Sequence, residues 1–139
     1  MPTPAEIPVS EHLRRIPPAV RPTVQAARRT VKSAAPQAKE IAYRSSPMRS
    51  RTSRSMSKVC RYAVDDANVV GIGTFPTYTS LFFYRGRELD DGSGLLEGAG
   101  KELRYITLRG REDAESPAVK RMVRKAFKLG GVTMRGEKR

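Results

Sequence analysis

Five cations, Arg44, Arg49, Arg51, Arg54 and Lys58, fall within residues 44–58, a serine-rich stretch with no acidic side chain. Ser, Thr and Arg cannot supply a core, so the segment reads as a mobile loop. It can wrap a phosphate backbone and order on contact, because arginine's planar fork meets two phosphate oxygens at once. Charge density alone fits a solvated loop with no ligand equally well. A second set is Gly98, Gly100, Lys101 and Arg104. Two glycines let backbone N–H groups converge on an anion, and the cations beside them would neutralise it. The set is not a P-loop: Leu95 stands where the first glycine belongs and Glu102 replaces the Ser or Thr. The same residues also make a tight turn before a strand, with Lys101 and Arg104 in water. A third set is the aromatic surface of Tyr78, Phe82 and Tyr84, joined by Tyr105. Rings on a sheet flanked by arginines hold single-stranded nucleic acid, stacking on the bases while the phosphates are neutralised. In small sheets such rings also serve packing or a dimer interface.

Other chemistry finds no residues to carry it. His12 is the only histidine, Cys60 is the only cysteine, and no zinc-ligand spacing exists. Asp65-Asp66 and Asp90-Asp91 are adjacent pairs in turn-like contexts, where Asp is expected for turn chemistry. Neither pairs with a base or nucleophile, so the expectation is no catalytic residue, no metal site and no cofactor. A lone cysteine forms no internal disulfide, which suits a reducing compartment, and cytoplasm is the expected location. No apolar run approaches the length of a bilayer span. The N-terminus carries Pro and Glu where a signal peptide has a basic and then an apolar stretch.

Charge sets the class of partner. The 27 Lys and Arg outnumber the 14 Asp and Glu, a net of +13. Residues 1–60 hold 12 basic and 3 acidic side chains, net +9, whereas residues 61–139 hold 15 and 11, net +4. Such an excess concentrates anions near the surface and favours phosphate-bearing partners, and it also serves plain solubility.

The elements that must position these residues follow from periodicity. Residues 1–13 are Pro-rich without a period and predict a loose arm. Pro17 and Pro18 open a helix, and Val20, Val24, Ala27 and Val31 recur at helical spacing to form its apolar stripe. With a start near Ala19, Pro22 sits in the first turn, where its missing N–H has no intrahelical partner to lose. Arg21, Arg28 and Lys32 flank the stripe and Pro36 closes the helix. Strands are predicted at 40–43, 58–64, 69–75, 80–84 and 103–109, where β-branched and aromatic residues gather. The short turns at 65–68 and 75–78 favour an antiparallel meander over crossovers. A last helix starts at the cap Ser116 with Pro117 in its first position, and Gly130 and Gly131 stop it. Its stripe is Val119, Met122, Val123 and Ala126, with Arg121, Arg124, Lys125 and Lys128 opposite. Gly71 inside a strand could make room for a helix.

The run Leu81-Phe82-Phe83-Tyr84-Arg85-Gly86-Arg87-Glu88-Leu89 is followed by Gly94-Leu95-Leu96-Glu97-Gly98-Ala99-Gly100-Lys101-Glu102-Leu103-Arg104-Tyr105-Ile106-Thr107-Leu108-Arg109. Together they resemble the YdhG-like bacterial domains, classed as domain of unknown function 1801, over roughly residues 15–130. The resemblance implies a frataxin-like α/β sandwich and brings no catalytic residue. One branch of that family is described as a frataxin-like iron chaperone, so the resemblance also implies an iron or small-ligand carrier. Frataxin-type iron binding uses an acidic ridge along the first helix and strand. Here that region carries Arg14, Arg15, Arg21, Arg28, Arg29, Lys32 and Lys39, with Glu40 as a lone acid, and hard cations need clustered carboxylates.

The expected architecture is therefore α+β: a two-layer sandwich with an antiparallel sheet of about five strands and N- and C-terminal helices on one face. Residues 1–14 form a flexible arm, residues 15–130 one domain, and residues 131–139 a basic tail. The expected role is a non-enzymatic binding domain for an anionic partner, nucleic acid or a small phosphate-bearing ligand. The alternative is the carrier role above. No membrane is expected, and a sheet face or edge could pair two copies into a homodimer.

Overall fold

Among the described residues six strands run as a meander, each hydrogen-bonded to its sequence neighbours, in the order β1 to β6. A computed structural model describes residues 6–43, 58–90, 92–98 and 100–131. The strands are β1 (Glu6–Ile7), β2 (Lys39–Tyr43), β3 (Lys58–Val64), β4 (Ala67–Thr74), β5 (Thr79–Phe83) and β6 (Arg104–Leu108), all antiparallel. Between β3 and β4, Asp65 and Asp66 have φ of 51° and 66°. Two successive left-handed residues suit the twist of a tight hairpin, and Asp tolerates that conformation better than most residues. Between β4 and β5 the Phe75 N–H donates to the Tyr78 carbonyl at 2.9 Å.

Alternation along the strands divides the sheet into two faces. Ala42, Cys60, Ile72, Leu81 and Ile106 face one another across five strands and are all buried. Two helices cover this row. In α2 (Arg21–Ala34) the buried side chains include Val24, Ala27 and Val31; in α5 (Pro117–Leu129) they include Val119, Met122, Val123, Ala126 and Phe127. Burial of each large apolar side chain is worth about 1.5–3 kcal/mol, so these two stripes fix the helices to the sheet. Pro22 lies in the first turn of α2, and the Ser116 hydroxyl accepts from the Val119 N–H at 3.2 Å to cap α5. The α+β sandwich with both helices on one face is thus the observed architecture.

The structure departs from expectation at the N-terminus. Where a loose arm is predicted, β1 extends the sheet to six strands and α1 (Val9–Arg14) follows it. Ile7 and Ile16 are buried in the core, and His12, placed by sequence in the arm, is completely enclosed. A strand of two residues and a helix of six show no readable period, so local sequence cannot announce them; contact with the sheet orders them. Two further short helices, α3 (Gly86–Leu89) and α4 (Arg111–Ala114), lie before and after β6. Among the described residues no helix is long and apolar enough to cross a membrane.

Candidate functional site

Cations accumulate on the helical layer. Helix α2 carries Arg21, Arg28, Arg29 and Lys32, and α5 carries Lys120, Arg121, Arg124, Lys125 and Lys128; neither contains an acid. Between them lies a groove of about 460 Å³ lined by Arg29, Lys120 and Arg124 over the small side chains of Ala26, Ser33 and Ala34, with Thr30 and Glu115 at one side. The Thr30 hydroxyl donates to the Ala114 carbonyl at 2.9 Å, tying α2 to α4 beneath the groove. Among the described residues Glu115 is the one acid in the lining, and it meets Arg29 at 3.3 Å with both side chains largely in water. An exposed pair of this kind is weak, so it leaves Arg29 available to a stronger anion.

Arg28 behaves oppositely. Its Nε and Nη2 donate to the two carboxylate oxygens of Glu40 at 2.8 and 2.9 Å, and its Nη1 donates to Gln25 at 3.0 Å. The Tyr62 hydroxyl also donates to Glu40, and Lys32 stands 3.8 Å away. Burial alone would raise the Glu40 carboxyl, but the hydrogen bonds from Arg28 and Tyr62 outweigh it and hold the group below the usual carboxylate range. The hydrogen bond to Glu40 raises Arg28, and burial raises the Tyr62 hydroxyl. Burial, then the Glu40 charge, pushes the Cys60 thiol up to about 12, so it remains a thiol and is unreactive. The residue read as a lone acid is the centre of a closed polar cluster, and Arg28, read as a flanking cation, is consumed by it.

Among the described residues, no helix contributes a side chain to the groove on the opposite face of the sheet. Tyr78, Ser80, Phe82 and Tyr84 follow one another at a spacing of two, and Leu103, Tyr105, Thr107 and Arg109 do the same on the neighbouring strand. The register sets Ser80 against Thr107 and Phe82 against Tyr105. A groove of about 430 Å³ runs here, lined by Phe75, Tyr78, Ser80, Phe82, Leu103, Tyr105, Thr107 and Arg109. Phe75 and Tyr78 stack at one end, centroids 4.5 Å apart and planes within 7°. Phe82 forms the floor, only 3% exposed, with its ring edge-on to Tyr84 at 5.6 Å. It lies across Gly71 of the adjacent strand, where a Cβ would come within 2.7 Å of Phe82 Cζ. Gly71 therefore makes room for an aromatic ring on the face turned away from α2 and α5, not for a helix as the sequence suggested.

The predicted site residues separate accordingly. Arg44, Arg49, Arg51 and Arg54, and the side chain of Lys58, lie outside the described residues. Gly98 takes φ of 120°, as a turn requires, and an added Cβ would stand 3.4 Å from the Leu103 carbonyl oxygen and the Tyr105 ring. The Arg104 guanidinium is turned inward and donates to the carbonyls of Gly100 at 2.7 Å and Leu103 at 2.9 Å. It pins the turn and is not presented to an anion, which leaves Lys101 as that turn's exposed cation. Tyr78 and Phe82 do share a groove, whereas Tyr84 packs beside Phe82 outside the lining. Sequence reasoning missed Lys120, Arg124, Phe75 and Arg109 as site residues. The absence of acids from two helices was the available signal for the first two, and period-two spacing along β6 for Arg109.

Among the described residues no three His, Cys, Asp or Glu side chains gather in a way that could hold a metal ion. No protein-family model matches the chain, and no curated protein or solved structure matches it either.

Proposed function

We propose that this chain is a non-catalytic binding domain for a phosphate-bearing macromolecule, and that nucleic acid is its partner. The observation that carries the reading is the α2–α5 groove, where Arg29, Lys120 and Arg124 face Glu115 as the only acid among the described lining residues. Three cations converging over small side chains form a concave positive surface, and a regular array of phosphates is the anion that meets several cations at once. Arg121, Arg124, Lys125 and Lys128 extend the same charge along α5. The scaffold we propose is the YdhG-like, frataxin-like one, supported by the two motif runs and by the order of helix, meander and helix.

Duplex DNA and RNA titrations at several salt concentrations test the function. Binding should weaken with salt at a log–log slope near −0.9 for each phosphate neutralised. Replacing Arg29, Lys120 and Arg124 together by Ala should make that slope shallower by roughly 2 to 3. Absence of binding at low salt, or an unchanged slope in the triple variant, overturns the reading.

A further inference from the structure

The groove on the sheet face turned away from α2 and α5 has a different composition from the helical groove and asks for a different ligand. Two aromatic rings half in water, Tyr78 and Tyr105, stand beside the buried floor ring Phe82, and the Phe75–Tyr78 stack closes one end. Continuing the β5–β6 register by one residue past Thr79 and Leu108 sets Tyr78 opposite Arg109. Among the described residues Arg109 is the only charged side chain in the lining. The carboxylate of Asp113 accepts from the backbone N–H of Arg109 at 2.9 Å and is absent from that lining.

We infer that this groove takes an unpaired base of a single-stranded nucleic acid, stacked on Tyr105 and Tyr78, with the adjoining phosphodiester against Arg109. The inference rests on the nucleic-acid reading above and adds the strand state. Every base has a π-face, so ring stacking accepts any sequence but needs the base to be out of a duplex. Charge matches an internal phosphodiester, which carries one negative charge against the single positive charge of Arg109. A free nucleotide brings a terminal phosphate of higher charge, which a single arginine would leave partly unneutralised. Ser80 and Thr107 add hydroxyls on the floor that can donate to or accept from base edges.

The test uses the whole chain and three labelled ligands of about 12 units, within the range of single-strand sites: oligothymidylate, an abasic strand of equal length, and a duplex. Fluorescence anisotropy should show oligothymidylate binding roughly 5- to 100-fold more tightly than the abasic strand. Tyr105→Leu and Tyr78→Leu keep apolar cover over the sheet and remove the stacking faces. Each should reduce that ratio toward unity while circular dichroism shows an intact fold. Arg109→Gln should weaken both single strands alike and make the salt slope shallower by about 0.7. Equal binding of the abasic strand, or folded Leu variants that keep the parent's ratio, overturns the inference. So does a sedimentation result in which the chain is a dimer that the Leu variants convert to monomer, because a second copy would then occupy the face. Ala at Arg29, Lys120 and Arg124 should weaken the duplex and leave the ratio intact. Loss of duplex binding there, with a ratio of one in the parent, would sink this inference and leave the proposed function standing.

Discussion

The two faces of one sheet have been given different tasks. On the helical side, apolar rows are sealed by α2 and α5, whose outer surfaces carry cations and no acids. On the other side, among the described residues, the groove is lined by side chains of the strands and their turns, rings and small residues foremost, and by none from a helix. Within the helical layer the same contrast recurs at closer range. Arg28 and Arg29 are neighbours in sequence, yet one is locked into Glu40 and Tyr62 while the other stands over a groove. The charge of a residue is therefore a poor guide to its task; what its guanidinium already touches decides whether an external anion can have it.

Breaking the closed cluster should have the largest effect on stability. Glu40→Ala leaves a part-buried guanidinium and a buried hydroxyl without their acceptor. It should cost about 3–5 kcal/mol in urea unfolding, against a change near zero for Arg29→Ala, whose partner is exposed. Equal costs for the two would erase the distinction between locked and available cations. On the other face, Gly71→Ala forces a methyl group into the Phe82 ring and should cost about 1–3 kcal/mol. Duplex binding on the helical side should be unaffected by it.

The next prediction concerns pH. Because the folded-state pKa of Glu40 lies below its unfolded value, its contribution is fully present above the ordinary carboxylate range of roughly 4.3. It is lost as pH falls through the lower folded value. Urea midpoints measured downward from pH 6 should fall below about pH 4, and the fall should be shallower in Glu40→Gln. The smallest expected effect is at the α5 cap: Ser116→Ala should cost about 1 kcal/mol, read as a lowered thermal midpoint, without moving either groove.

Much of the fold was legible because local patterns and global packing agree. The stripes of α2 and α5, the Ser116 cap, the Asp65-Asp66 hairpin and five of six strands all announce themselves through spacing or turn chemistry. The N-terminal strand and α1 did not, since Ile7 and His12 are buried by the sheet and not by any period of their own. The site was less legible. Tyr78 and Phe82 were picked out as aromatic, but whether they face helices or water depends on which side α2 and α5 occupy. Arg104 was read as an anion ligand because its type and neighbours allow it; the Gly100 and Leu103 carbonyls, within its reach only after the turn has folded, claimed it first.

By itself the sequence determined the class of the molecule: a basic chain with helical stripes, alternating strands and turn residues that permit one antiparallel meander between two helices. Those features are local, encoded within a few residues by sterics and burial period. Only the tertiary structure decided which cations are spent and which are left. Arg28 and Glu40 are twelve positions apart, and Arg29 and Lys120 come from opposite ends of the chain. Side-chain pairing of that kind is set by packing across elements, to which no local period corresponds.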